Sequence, residues 1–342
     1  MKIRQKYQEF IVGEDRPFDS AHASTLVCLP DKTVVAAWFG GSWEKASDVA
    51  IWTSRRVDGV WEAPKKAADA RDIATWNPVL FLREDGTIIL FYKVGKTIPV
   101  WKTWYVESQD GGRTFSQPKE LVEGDEQGGR GPVKNKPIRL TDGTVLAPAS
   151  IEGEQWDAFV DISQDDCRTW TMSEMVPVRR CSAEPRIIDR PYHPQHLYGK
   201  GVIQPTLWQD NQGDVHMLLR STSSRIFRSD SKDGGRTWSV AYDTGLPNNN
   251  SGIDLTAMPN GDLVLVYNPR ENLPGCYKGP RTPLSVAVSK DNGKSFEHLV
   301  DLENGVGSFC YPAVISDGDG KVLITYTWNR KTIAFCELEY ED

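Results

Sequence analysis

The chain has no apolar run of membrane-spanning length. Its opening residues, Met1-Lys-Ile-Arg-Gln-Lys-Tyr7, hold no apolar secretion core. Cytoplasmic placement with no membrane partner is therefore expected. No run of Lys or Arg stands out against a formal net charge of −7, which argues against a nucleic-acid partner. Six cysteines, at 28, 167, 181, 276, 310 and 336, form no CxxC pair. At this chain length they read as reduced thiols, not as a disulfide framework. There is no P-loop, no dinucleotide glycine fingerprint, no Gly-x-Ser-x-Gly elbow and no calcium loop, so no cofactor is expected. No convincing amphipathic helix appears, which leaves strands to build the core.

What is present is a repeated turn. It reads Ser108-Gln-Asp110-Gly-Gly112-Arg-Thr114-Phe115, Ser163-Gln-Asp165-Asp-Cys167-Arg-Thr169-Trp170, Ser231-Lys-Asp233-Gly-Gly235-Arg-Thr237-Trp238 and Ser289-Lys-Asp291-Asn-Gly293-Lys-Ser295-Phe296. The Asp carboxylate can accept backbone N–H bonds inside the turn, and the Gly can take the positive φ that closes it. The Thr or Ser resumes the strand, and the ring packs beneath. Such a repeat means a ring or a solenoid. Shorter turns stand at Asp31-Lys32, Asp85-Gly86, Asp142-Gly143, Gln212-Gly213, Asn260-Gly261 and Asp319-Gly320, one for each of six sheets. The expected fold is all-β, a six-bladed β-propeller with four-stranded antiparallel blades, spanning residues 1–342 as one domain. The blades fall roughly at 16–67, 74–124, 133–178, 199–247, 251–303 and 308–342. The sixth is one strand short, and the N-terminal segment Lys2–Ile11 can supply it, which closes the ring and removes free edges. Residues 179–200 form the longest irregular insertion.

In a propeller the first strand of each blade lines the axis, and its leading residue faces the channel mouth. Those residues are His22, Asn77, Lys136, Gln204, Asp254 and Tyr311, with one or two residues of slack. Channel mouths are wet and tolerate polar residues, but six polar leads also suit a convergent site in a central depression. The second strands end at Lys93, Arg220, Asn268 and Asn329, with Trp328 beside the last, and Arg281 precedes the third strand of the fifth blade. Two arginines and Lys136 near one axis suit a carboxylate, which guanidinium grips bidentately. The loop Gly40-Gly41-Ser42-Trp43-Glu44 can carry an acid/base carboxylate and an aromatic over the pocket. His193 and His196 lie three apart in a proline-containing loop with no further ligand in pattern, so no metal site is assigned to them. Asp48, ahead of Val49-Ala-Ile-Trp52, reads as structural.

These residues resemble the sialidase superfamily, whose repeated turn is Ser-x-Asp-x-Gly-x-Thr-Trp and whose fold is a six-bladed propeller. The turn is specific for architecture and weak for activity, since non-catalytic propellers carry it too. By resemblance, Tyr311 stands at the nucleophilic tyrosine, Arg220 and Arg281 at the second and third arginines that grip the substrate carboxylate, and Glu44 near the acid/base. Two positions depart. The first arginine becomes His22, and the glutamate that activates the tyrosine becomes Gln204, which cannot take its proton.

Three activities follow as expectations. The leading one is an exo-acting enzyme on a terminal acidic sugar. It would perform β-elimination at a uronate, such as rhamnosyl-glucuronate, with His22 as base, Tyr311 or Glu44 as acid and Arg220 and Arg281 on the carboxylate. The second is an exo-sialidase or other hydrolase using Tyr311 and Glu44. The third is a non-catalytic sugar-binding propeller. Lys136, Gln204, Asn77, Asp254, Lys93 and Trp43 complete the expected substrate-binding set, and an acidic oligosaccharide is the expected partner.

Overall fold

The protein is described from a computed structural model covering residues 2–126, 128–181, 194–273 and 276–341. Its strands form six antiparallel blades around one axis. From the axis outward, blade one is Ser20–Cys28, Val34–Gly41 and Ala50–Val57, with its outer edge split into Val60–Trp61 and Lys65–Ala68. Blade two is Thr75–Leu82, Ile88–Val94, Lys102–Ser108 and Lys119–Glu120. Blade three is Ile138–Arg139, Val145–Glu152, Trp156–Ser163 and Thr171–Met172. Blade four is Val202–Gln209, Val215–Ser221, Arg225–Ser231 and Tyr242–Pro247, and blade five is Asp254–Ala257, Leu263–Tyr267, Leu284–Ser289 and Glu297–Glu303. Blade six is Phe309–Ser316, Lys321–Trp328 and Thr332–Glu341, completed by Lys2–Phe10, which pairs antiparallel with Thr332–Glu341. The N-terminal closure expected from the sequence is thus present, and it gives the sixth blade four strands. The 179–200 insertion is partly regular: Arg179–Cys181 and His196–Tyr198 form a short parallel pair. His193 lies outside the described residues.

The repeated turns join the third and fourth strands of their blades as their chemistry requires. In each, the Ser hydroxyl donates to the Asp and accepts the N–H of the fifth residue, while the carboxylate accepts two backbone N–H groups and the Thr or Ser hydroxyl. At Asp233 these are the Ser231 hydroxyl at 2.7 Å, the Arg236 N–H at 3.1 Å, the Thr237 N–H at 2.9 Å and the Thr237 hydroxyl at 2.6 Å. Partial burial opposes ionisation, but the bonds from Thr237, Ser231 and Arg236 prevail and hold the Asp233 carboxyl at about 2. The following ring seats in the core shared with the preceding blade. Trp238 packs among Leu146, Val160 and Phe227, and Trp170 against Phe91 and Val145. Gly235, at φ +84, lies so close to Leu146 that a Cβ would fall 2.8 Å from its Cδ1. In the third blade Cys167 takes the equivalent position at φ +70 and is buried in the adjoining core.

Four of the six axial strands share a second device. Ala23, Asn77, Gln204 and Tyr311 have φ of +54, +40, +53 and +54, each inside a register break of its strand. In three of the four a proline follows: Pro78, Pro205 and Pro312. Proline has no N–H to give the ladder, so it is tolerated at such a bulge. A left-handed non-glycine residue costs roughly 1–3 kcal/mol and persists only where the surroundings enforce it. The bulge re-aims one side chain per blade towards the axis.

Replacing Asp233 by Ala strands the turn's N–H groups. The carboxyl's low pKa means its contribution is complete above the unfolded value near 4 and is lost as pH falls towards 2. The variant should therefore lose about 1–3 kcal/mol at pH 7, read from the urea midpoint, with the gap to wild type narrowing by pH 2.5.

Candidate functional site

Tyr311, lifted by its bulge, stands at the centre of the mouth and is only partly buried. Its hydroxyl accepts an N–H from Arg220 at 2.8 Å. The same guanidinium nitrogen donates to Gln204 Oε1 at 3.1 Å, and its Nε donates to Asn250 Oδ1 at 2.8 Å. Trp156 supports it from one face, its ring centroid 5.4 Å from the guanidinium carbon. Arg220 is 5 % exposed, yet it makes no ion pair among the described residues. Arg281 lies 5.5 Å from the Tyr311 ring centroid, and among the described residues its one side-chain hydrogen bond goes to the Cys310 sulfur at 3.0 Å.

His22 packs against the other side of the phenol, ring centroids 4.3 Å apart, with Phe39 edge-on at 5.5 Å. Its Nδ1 is 2.9 Å from the Thr327 hydroxyl. Only 2 % of it is exposed. Burial first, then the positive fields of Arg330, Arg281, Lys134 and Arg220, hold its pKa well below 6.5, so the ring is neutral at neutral pH. In the first blade the bulge position equivalent to Tyr311 and Gln204 is Ala23, and His22 reaches the phenol from one residue earlier. Glu44 bridges to Arg330 at 2.6 Å, and its charge acts on Arg281. Trp43 beside it is exposed.

Other expected residues sit elsewhere in the channel. Asp254 is fully buried one layer below the bulges. Its carboxylate accepts from Lys136 at 3.0 and 3.1 Å, the Thr206 hydroxyl at 2.8 Å, and the backbone N–H groups of Leu255 and Val314 at 2.9 and 2.8 Å. Lys136 and Asp254 therefore neutralise each other and tie blades three to six together. Asn77 is turned to the Val133 carbonyl at 2.9 Å. Lys93 is enclosed on the Arg130 carbonyl at 2.7 Å, and burial, against the pull of Asp161 and Glu152, lowers its ammonium to about 8. Asn268 spans the Pro283 and Phe309 carbonyls, Asn329 accepts from the Ser308 N–H, and Trp328 packs on Phe10 and Phe309. Asp48 receives the Ser42 N–H and hydroxyl. His196 belongs to the parallel strand pair.

The structure adds residues that the sequence reading passed over. Arg330, at φ +59 in the turn after Trp328, brings a third guanidinium into electrostatic reach of His22. Lys134 lies beneath the phenol, 6.0 Å from its centroid, and donates to Asn135 Oδ1 and to the Ile253 and Pro312 carbonyls. Burial, against the pull of Asp254, brings its ammonium down to about 7. Glu152 ends the second strand of blade three and accepts the Gln204 Nε2 N–H at 3.2 Å. Blades two, four, five and six gave candidates at their second-strand ends, and the same rule applied to blade three yields Glu152. No such rule finds Arg330, because its turn is local.

A family model described as a BNR repeat-like domain matches residues 32–324. The chain belongs to that family, and the matched repeat, the propeller and the structural neighbours together fit a sialidase-like superfamily. No curated protein sequence matches the chain. Among solved structures, a protein of unknown function from Dyadobacter fermentans is similar over 99 % of each chain, at 15 % identity and TM-score 0.76. The Hadza microbial sialidase Hz136 is similar over 97 % of this chain and 68 % of its own, at 16 % identity and TM-score 0.79. The intramolecular trans-sialidase from Ruminococcus gnavus, solved with oseltamivir carboxylate, is similar over 96 % of each, at 12 % identity and TM-score 0.71. At these identities the likeness is one of fold.

The enclosed, neutral His22 sets a pH signature. In the unfolded chain it binds a proton near pH 6.5, while in the folded protein it resists doing so. Below pH 6.5 the unfolded state therefore takes up more protons, and stability is lost as pH falls. His22→Gln keeps a partner for Thr327 and does not titrate. Its thermal midpoint should drop less than that of wild type between pH 7.5 and 5.

Proposed function

We propose that the protein is a glycan-active enzyme acting at the end of a chain whose terminal sugar bears a carboxylate. The observation that carries this is a pair of guanidinium groups, Arg220 and Arg281, both directed over the Tyr311 ring and neither paired with a carboxylate among the described residues. A buried cation without an anionic partner is costly. A substrate carboxylate relieves that cost through charge-assisted hydrogen bonds.

Substitution at Tyr311 is the reaction this arrangement supports best. The phenol gives up its proton to solvent as its oxygen attacks the anomeric carbon, and the glycosidic C–O bond breaks. Its electron pair leaves with the departing oxygen, which takes a proton from the Glu44 carboxyl. Water then cleaves the sugar–tyrosine bond, giving one proton to the Glu44 carboxylate, and the released tyrosinate takes its proton back from solvent. The N–H that Arg220 donates to the phenol oxygen stabilises negative charge developing there. Arg330, paired with Glu44, adds a third guanidinium beside the site. Enclosure behind Tyr311 counts against His22 as a base in direct contact with substrate.

A second reading, β-elimination at a uronate, is favoured by one observation: a neutral imidazole in ring contact with a phenol. His22 would take the C5 proton, the C4–O bond would break to leave a C4=C5 double bond, and Tyr311 would protonate the departing oxygen. The two are separated by products. Sialosides and glucuronate-terminated oligosaccharides should release a saturated sugar acid with no rise in absorbance at 235 nm. A rise at 235 nm that depends on His22 replaces substitution by elimination. Glu44→Gln should slow turnover by about 10²–10⁴-fold, and Tyr311→Phe should abolish it. No product from any acidic glycan, despite affinity for one, would leave a binding propeller.

A further inference from the structure

Gln204 is caught between two partners that demand opposite ends of its amide. A guanidinium only donates hydrogen bonds and a carboxylate only accepts them, whereas the two ends of a glutamine amide are similar in size and opposite in role. Oε1 faces Arg220 at 3.1 Å, and Nε2 faces Glu152 Oε1 at 3.2 Å. The Ser150 hydroxyl donates to the same Glu152 oxygen at 3.2 Å. Turned over, the amide would set N–H against N–H at Arg220 and oxygen against oxygen at Glu152. Two attractive contacts would become two repulsive ones.

The rest of Gln204 has little freedom. Its backbone is fixed by the bulge at φ +53, its carbonyl accepts from Asn135 at 3.0 Å, and it is 1 % exposed, so solvent has little room to replace a lost partner. Only the sense of the amide remains open, and the partner at its far end decides it. Glu152 makes no ion pair among the described residues. Burial raises its carboxyl above the usual range, and the field of Arg220 opposes the rise. A half-buried carboxylate held by neutral donors is a costly way to fill space, so its hydrogen-bonding role explains it better.

We propose that Glu152 is a positioning residue of this site. Its carboxylate fixes the Gln204 amide with the oxygen towards Arg220, and so holds the guanidinium for the substrate carboxylate. Only the last clause rests on the function proposed above. Reaching through an amide on the neighbouring blade, Glu152 also accounts for how position 204 can lack a carboxylate while Arg220 stays aligned on Tyr311.

The side-chain amide signals of Gln204 give a readout that needs no ligand. In deuterated protein they are assigned by their loss in Gln204→Leu. They should shift as pH titrates Glu152 in wild type, remain close to the wild-type position without titrating in Glu152→Gln, and move away in Glu152→Leu. Calorimetry with N-acetylneuraminate and glucuronate supplies the functional arm. Affinity should fall about tenfold or more in Glu152→Leu and in Gln204→Leu, and the double variant should be no weaker than either single one. Glu152→Gln, which still offers an acceptor, should stay near wild type. Gln204 signals that ignore Glu152, Glu152→Gln binding as poorly as Glu152→Leu, or additive losses in the double variant would overturn the assignment. Should Glu152→Leu fail to fold, the titration in wild type and its absence in Glu152→Gln still decide. If wild type binds neither sugar acid, the substrate proposal fails while the amide signals still report on Glu152.

Discussion

The site depends on one buried guanidinium. Arg220 rises from the second strand of blade four, rests on Trp156 from blade three, and is held by Asn250, Gln204 and the Tyr311 hydroxyl. Each of these contacts comes from a different segment. The Tyr311 contact reaches from blade six to blade four and depends on the closed ring, which Lys2–Phe10 completes in the sixth blade. A charge placed this deep is expensive. The neutral acceptors around it offset only part of that cost, so the vacant side of the guanidinium is where an anion gains most.

The axle beneath the mouth makes the placement rigid. Lys136 and Asp254 cancel each other one layer down, with Thr206 and Val314 on the same carboxylate, while Lys134 spans carbonyls of blades five and six. These groups belong to the scaffold, even though in sequence they look like the site. Lys136 meets its countercharge in the channel and ties the blades together, whereas Arg220 and Arg281 make no ion pair among the described residues.

Most of the fold was legible because it is written locally. The eight-residue turns, the short Asp/Asn-Gly turns and the missing sixth-blade strand are all patterns of a few neighbouring residues. The bulges were less visible. Asn77-Pro78, Gln204-Pro205 and Tyr311-Pro312 share a dipeptide signature, but the first blade has Ala23-Ser24, so His22 was aligned one residue early. The convergence of Arg220, Tyr311, Gln204, His22 and Arg281 followed from blade topology. Which candidates pair among themselves did not, because the contact of Lys136 with Asp254 and that of Glu152 with Gln204 cross between blades. Arg330 escaped notice because its position is set by a left-handed turn and by the distant Glu44, and neither leaves a mark in the flanking sequence.

The central claim is that a negative charge on the ligand is what Arg220 and Arg281 require. It is tested most directly by comparing the affinity of one sugar acid with that of its uncharged amide, in wild type and in Arg281→Leu. The acid should bind at least about tenfold more tightly than the amide in wild type, as the loss of a charged hydrogen bond implies, and that preference should shrink in the variant. Equal affinity for acid and amide, or a preference untouched by the loss of Arg281, would contradict the account.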